Sequence, residues 1–313
     1  MSATATRDAF GKALAALGEK HPEIVVLDAD LAKSTKSELF AKAFPSRFFE
    51  MGIAEANMVA TAAGLALSGK IPFACSFACF LTGQFAEIRI ALAYSEANVR
   101  LVGTHAGVAI GEDGHSQMGL EDVALMRTLP GMTVLQPCDD IETARMMEFL
   151  VAHRGPAYLR LTRQKLERVH AENHRFMWGK LDTLRPGRDV AILTSGSPAK
   201  AALDAAEMLR DDGLSVCVVN APTVKPMDAE GLEAIARQCG RIVTVEDHTV
   251  MGGLGGAVCE TLAERFPVPV KRLGVQDIFG QSGDPDELTA LYGLDARSIA
   301  DATRALCQEK TPV

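Results

Sequence analysis

None of the seven cysteines, at positions 75, 79, 138, 217, 239, 259 and 307, forms a Cys-x-x-Cys pair. That spacing offers neither a zinc site nor a disulfide framework, so the thiols read as core residues of a reducing cytoplasm. Positive charge is also scarce. Lys and Arg number 32 against 40 Asp and Glu, a net charge of −8, which excludes a general nucleic-acid or acidic-membrane binder with its basic footprint. No basic n-region with an apolar run opens the chain, so no secretory signal is expected. The apolar stretches are broken by charge or glycine before they reach bilayer-spanning length. A cytoplasmic protein is therefore expected. No Gly-x-Gly-x-x-Gly follows a first strand, which weighs against nicotinamide binding, and there is no solenoid-period repeat or low-complexity tract.

What is present is enough apolar residue, 48%, for a sizeable core, and 313 residues suit two domains. Strand-like apolar runs alternate with helical periodicity from end to end, the pattern of parallel α/β layering. Phe10, Leu14 and Leu17 mark a first helix, with Thr6 as its cap, and Ile24–Leu27 a strand ending in Asp28-Ala29-Asp30. Helices are expected around 36–44, 54–68, 84–95, 119–129 and 139–152, and strands near 71–77, 99–105, 132–136 and 157–161. The pattern weakens between 165 and 188. A second α/β run follows, with strands near 190–194, 215–219, 241–246 and 269–273. The predicted division is a first domain over 1–166, a linker over 167–188 and a second domain over 189–313. Gly252-Gly253-Leu254-Gly255-Gly256 lacks dinucleotide spacing and reads as a tight strand-to-helix turn or a close subunit contact.

The unusual polar residues concentrate in the first unit. Glu55 opens a helix of small and apolar residues on which it is the only charge. The helix dipole alone favours a Glu there, yet a carboxylate on such a helix is expected to be paired or shifted in pKa. Phe77 and Phe80 end a strand, where they either pack the core or form a stacking platform for a planar ligand. The segment Gly103–Gln117 holds four glycines, His105, His115, Glu112, Asp113 and Gln117 after an apolar strand. Loops at the carboxyl end of parallel strands are where such folds place ligands. Arg163, at the end of Tyr158-Leu159-Arg160-Leu161-Thr162, suits bidentate phosphate binding; pairing with a surface acid is the ordinary alternative.

Together these segments resemble the transketolases. Arg47-Phe48-Phe49-Glu50-Met51-Gly52-Ile53-Ala54-Glu55 resembles their pyrimidine-binding domain and its relatives. Thr104-His105 followed by Gly111-Glu112-Asp113-Gly114 points to transketolase itself, and Val245-Glu246-Asp247-His248 matches the C-terminal domain. The resemblance implies two three-layer α/β domains with mainly parallel sheets. It also implies a thiamine-diphosphate enzyme that moves a two-carbon ketol unit from a ketose phosphate to an aldose phosphate. Glu55 then matches the glutamate that drives the aminopyrimidine to its imino form, Phe77 and Phe80 the aromatics packed on that ring, and Asp30 an acid near the thiazolium. Asp113 and Gln117 match readers of donor hydroxyls, and Arg7, Ser34, His105 and Arg163 fall where the family binds the sugar phosphate; His105 is counted with Glu55 as catalytic.

Two positions depart from the family pattern: His115 stands where Pro is usual, and Ala56 where Gln is common. Either change bears on which sugar is accepted. The Gly-Asp-Gly string by which complete transketolases hold the diphosphate through magnesium is absent. The family's split form accounts for this. It implies a separate diphosphate-binding subunit carrying Mg2+ or another divalent ion, no metal ligands on this chain, a shared thiamine diphosphate site and an α2β2 assembly. Rival readings are a 2-oxo-acid dehydrogenase β subunit, a deoxyxylulose-phosphate synthase relative, or a non-catalytic partner subunit.

Overall fold

Apolar runs that stay apolar on both side-chain faces need a sheet covered on both sides, and the strands of this protein meet that condition. The computed structural model describes residues 3–309. Its first unit contains β1 (Thr4–Ala5), β2 (Ile24–Asp28), β3 (Phe48–Glu50), β4 (Ile71–Phe77), β5 (Arg100–Thr104), β6 (Thr133–Leu135), β7 (Ala157–Arg160) and β8 (Lys165–Leu166). There follow β9 (Asp182–Arg185), β10 (Val190–Ser195), β11 (Val216–Asn220), β12 (Thr223–Lys225), β13 (Ile242–Thr249) and β14 (Val270–Val275). Every residue of β2, β4, β5, β7, β10 and β11 is buried.

The first sheet has the order β3-β2-β4-β5-β7-β6-β12 and is parallel except for β12. Alternate side chains feed two cores. Val26, Phe73, Val102 and Leu159 pack with Phe10 and Leu14 of the helix Thr6–Lys20 on one face. Leu27, Ala74, Leu101 and Tyr158 meet Met58 and Ala62 of the helix Glu55–Leu67 on the other. The second sheet has the order β14-β13-β10-β11-β9, with β9 antiparallel, and is likewise covered on both faces. The fold is thus two α/β units with mainly parallel sheets. No helix among the described residues is long and apolar enough to cross a membrane.

The structure departs from the sequence expectations where long-range pairing decides. Strand β9 lies inside the stretch expected as linker, and β12 leaves the second unit to close the edge of the first sheet. Thr6 does not cap its helix: its Oγ1 accepts from the amide of Thr162 at 2.9 Å, beside the β1–β8 ribbon. The helix expected over 36–44 is two pieces, Ala32–Thr35 and Glu38–Ala43, broken at Lys36 with φ 71°. The glycine-rich turn after β13 leads directly into the helix Leu254–Arg265, whose first amides are taken by Glu246: Leu254 and Gly255 donate to its carboxylate at 2.6 and 2.8 Å. A helix end satisfied by its own acid is not a phosphate cradle, so the turn reading stands.

Candidate active site

The carboxyl ends of β2, β4 and β5 form one edge, and most of the predicted site residues emerge there. Behind that edge Asp28 organises the turn after β2. It accepts from the Leu31 amide at 2.7 Å, Thr35 Oγ1 at 2.7 Å and Ser37 Oγ at 2.8 Å. Burial pushes its carboxyl up to about 6, against the pull of those hydrogen bonds. The turn presents Asp30 and Ser34. Asp30 is exposed at φ 63°, and its amide donates to Glu50 Oε1 at 2.8 Å; the same oxygen accepts from Gly52 at 3.1 Å. Glu50, not foreseen as a site residue, therefore shapes both the Asp30 turn and the approach to Glu55.

His105, just past β5, is the hub. It is a buried non-glycine residue in the left-handed region, φ 58°, a conformation that persists only when surroundings enforce it. Arg7 Nη1 lies 2.6 Å from its Nε2, and Thr104 Oγ1 lies 2.9 Å from its Nδ1. A guanidinium only donates, so Nε2 accepts and Nδ1 carries the proton toward Thr104. Burial first, then the Arg7 charge, hold the imidazole down at about 3, so it is neutral at working pH. Arg7 also donates to the Ser34 carbonyl at 3.0 Å, and burial lowers its own pKa. On its face His105 stacks on Phe77 with centroids 3.8 Å apart, and Phe77 stacks on Phe80 at 5.5 Å and 8°. Arg7, Ser34, His105, Phe77 and Phe80 are thus one contiguous array.

The other predicted residues are placed more loosely. Glu55 is half-buried at the first position of its helix, and its carboxylate has no hydrogen bond or ion pair among the described residues. Of the two expectations for it, pairing is not met among the described residues. Arg163 is held by Asp113 at 3.0 Å and Glu112 at 3.5 Å, the ordinary alternative of an acid partner. Gln117 is half-buried and makes no side-chain hydrogen bond among the described residues. The loop carrying Asp113 and Gln117 packs Val108, Ile110, Met118 and Leu120 into the core of the second unit. Gly107, at φ 90°, passes so close to Asp247 that a Cβ there would lie 2.0 Å from Oδ2, and Asp247 Oδ1 accepts from the Val108 amide at 2.8 Å. Only glycine fits that position.

An edge with a stacked aromatic platform, an unpaired carboxylate and a cationic corner has the makings of a site for a planar cofactor and an anionic substrate. The description "Transketolase, pyrimidine binding domain" matches residues 2–168, and "Transketolase, C-terminal domain" matches 179–299. The chain belongs to the transketolase family.

That family is thiamine-diphosphate dependent, and the similarity is to its split members in particular. A 6-deoxy-6-sulfo-D-fructose transketolase subunit of a Clostridium strain is 40% identical over 97% of this chain and 95% of its own length. A solved structure described as a split gene transketolase, inactive beta4 tetramer, is 45% identical with a TM-score of 0.90, covering 98% of this chain and 99% of that one. Mouse transketolase is 41% identical over 96% of this chain but only 49% of its own length, so this transketolase chain spans about half of the single-chain form.

Behind the site lie polar clusters that the sequence reading missed. In one, Arg160 Nε donates to Asp122 Oδ2 at 2.8 Å, and its Nη2 donates to the carbonyls of Gly119 and Asp247 at 2.8 and 2.9 Å. Tyr158 donates to the same Asp122 oxygen at 2.7 Å. An arginine inside an apolar strand was the available signal. The second gathers Cys138, Asp139, Glu142, His170, His174 and Asp182 at the junction of the two units. The nitrogens of His170 lie 3.0 Å from Asp139 and 2.9 Å from Asp182, and its ring stacks on His174 at 3.8 Å. Stacked imidazoles direct their in-plane lone pairs side by side, so the pair is poorly arranged to converge on one metal ion and reads as an ionic latch.

The latch has a pH signature. Burial opposes the charge on His170, but Asp139 and Asp182 outweigh it and lift the imidazole to about 10. A raised pKa stabilises the fold fully below the unfolded value, about 6.5, and loses that contribution as pH rises to about 10. Thermal unfolding of wild type and His170→Asn should therefore differ most below pH ~6.5 and converge toward pH ~10. A difference constant across that window would remove the imidazolium from the account.

Proposed function

We propose that this chain is the catalytic pyrimidine-side subunit of a split transketolase, completed by a diphosphate-binding subunit in an α2β2 assembly. It would move a two-carbon ketol unit from a ketose phosphate to an aldose phosphate. The observation that carries the reading is the array Arg7–His105–Phe77–Phe80 at the strand edge, with the half-buried Glu55 carboxylate left without a hydrogen bond or ion pair among the described residues. The domain division at 1–166 and 189–313 is retained with it.

Thiamine diphosphate supplies the carbanion chemistry when bound. Phe77 and Phe80 offer its pyrimidine a face, and Glu55 would take and hold a proton at a ring nitrogen. Asp30, on the turn after β2, would be the acid near the thiazolium. Arg7, with Ser34 nearby, and Arg163 offer donors to the sugar phosphate, and His105 holds Arg7 in place. Asp113 and Gln117 would read donor hydroxyls. Substrate binding would have to compete for Arg163 with Asp113 and Glu112, an exchange of one charge-assisted partner for another. Mg2+ or another divalent ion is assigned to the partner subunit. The exposed apolar residues Ile53, Leu67, Ile90 and Tyr94, on and beside the helix Glu55–Leu67 and the helical segment Ile88–Tyr94 packed against it, support subunit contact along that face of the first unit. A cytoplasmic location is part of the same proposal.

Calorimetric titration of thiamine diphosphate and magnesium into this chain, alone and with its N-terminal partner, tests the reading. Tight binding only with the partner, followed by ketol transfer from xylulose 5-phosphate, is the expected result. Tight binding to the chain alone would mean that a diphosphate site lies here and would end the split-site proposal. CO2 release with pyruvate would favour a decarboxylating relative, and inertness of the complete assembly a non-catalytic role.

A further inference from the structure

The loop that presents Asp113 and Gln117 is tied to the second unit by a residue with no role so far. His115 opens the single helical turn His115–Gln117, between those two side chains. The Gly280 amide donates to its Nδ1 at 3.0 Å, and the Phe279 ring packs against its imidazole at 4.5 Å. The fit continues on both sides. A Cβ on Gly280 would meet Met118 Sδ at 2.3 Å, one on Gly114 would meet Ser282 Oγ at 2.4 Å, and one on Gly111 would reach Pro285 at 3.0 Å. Residues 276–284 contain no helix or strand, and Ile278 and Phe279 are largely exposed. The order of both segments therefore depends on their mutual contacts.

From this geometry we propose that His115 is a positioning residue, a strut that fixes the 111–117 loop against 279–285 so that Asp113 and Gln117 are preset for the ketose donor. The inference rests on the reading above, in which those two side chains meet substrate. Because Nδ1 accepts from Gly280, the ring proton in this arrangement sits on Nε2. The backbone bonds that link the two short helical turns are local: Gly114 to Gly111 at 3.2 Å, Gln117 to Gly114 at 3.1 Å and Met118 to His115 at 3.0 Å. A proline at 115 would stiffen the first position of this turn covalently through its fixed φ. His115 reaches a similar end through a side-chain bond to another part of the chain, which couples the substrate loop to the second unit.

Hydrogen exchange on the full chain and kinetics on the complete assembly test this together. His115→Ala should speed exchange in both 111–118 and 279–283. His115→Pro should restore protection to 111–117 and leave 279–283 fast. In the assembly, His115→Ala should raise the donor KM roughly threefold to tenfold, the range one net hydrogen bond is worth, with little change in kcat. Phe279→Leu, on an exposed residue, should reproduce part of the exchange effect if His115→Ala does not fold. Unchanged exchange overturns the strut, and faster exchange with an unchanged donor KM overturns its positioning role. If the wild-type assembly transfers no ketol unit, the functional reading fails, while the exchange experiment still decides whether the strut exists.

Discussion

Glu55→Gln in the complete assembly is expected to reduce ketol transfer from xylulose 5-phosphate by about 10²- to 10⁴-fold, the range typical of losing a positioned acid–base group. The amide keeps the size of the side chain and can still hydrogen-bond a ring nitrogen, but it cannot exchange a proton with it. Stability should hardly change, because the carboxylate makes no hydrogen bond or ion pair among the described residues that the substitution would break. Steady-state kinetics with matched thermal melts distinguish the two effects. Activity within about tenfold of wild type would take Glu55 out of the chemistry. A large drop in melting temperature would show that Glu55 is a structural acid at a helix start, the role the helix dipole alone would give it.

Arg160→Leu is expected to have the opposite profile, costing about 3–5 kcal/mol of stability through removal of one partner of a buried ion pair. Arg160 and Asp122 are almost wholly buried, with side-chain exposures of 2% and 0%, so the carboxylate is shielded from solvent once the guanidinium is removed. Burial alone would raise the Asp122 carboxyl, and Arg160 is the main group holding it below its ordinary value. The variant strands that charge and frees the carbonyls of Gly119 and Asp247 at the seam between the units. Denaturant unfolding measures the loss. The double variant Arg160→Leu, Asp122→Leu should recover much of it, because an apolar pair leaves no buried charge. A single-variant cost below about 1 kcal/mol would place the pair among ordinary surface bridges.

The parts of the fold that could be read in advance are those set by local chemistry. The buried strands are continuous apolar runs because both of their faces are covered, and their order along the chain alternates with helices. Strands β9 and β12 gave no such signal. Each is short and partly polar, and each is a strand only because a distant edge, β11 or β6, offers it hydrogen bonds. Thr6 fits the local rule for a cap, yet the amide of Thr162 takes its hydroxyl.

The candidate site divides in the same way. The identities of Glu55, Phe77, Phe80, His105, Asp113 and Arg163 stand out in the sequence, because residue type and motif carry the chemistry. Their relations do not. That Arg7 donates to His105, that Arg163 is already occupied by Asp113 and that Glu55 has no partner among the described residues all follow from how helices and loops meet at the strand edge. His105 and Asp30 adopt positive φ, and Asp28 and Glu50 hold the turns, features without a local sequence signature.

The sequence by itself determined the layered α/β class, the transketolase resemblance, the chemical groups available and the missing diphosphate motif. Hydrophobic pattern and residue identity are local properties, so they survive without coordinates. Only the tertiary structure decided the tautomer of His105, the latch at His170 and the strut from His115 to Gly280. The first is set where the helix bearing Arg7 meets the end of β5 inside the first unit, and the strut by how the two units pack, so none of them is a local property of the sequence.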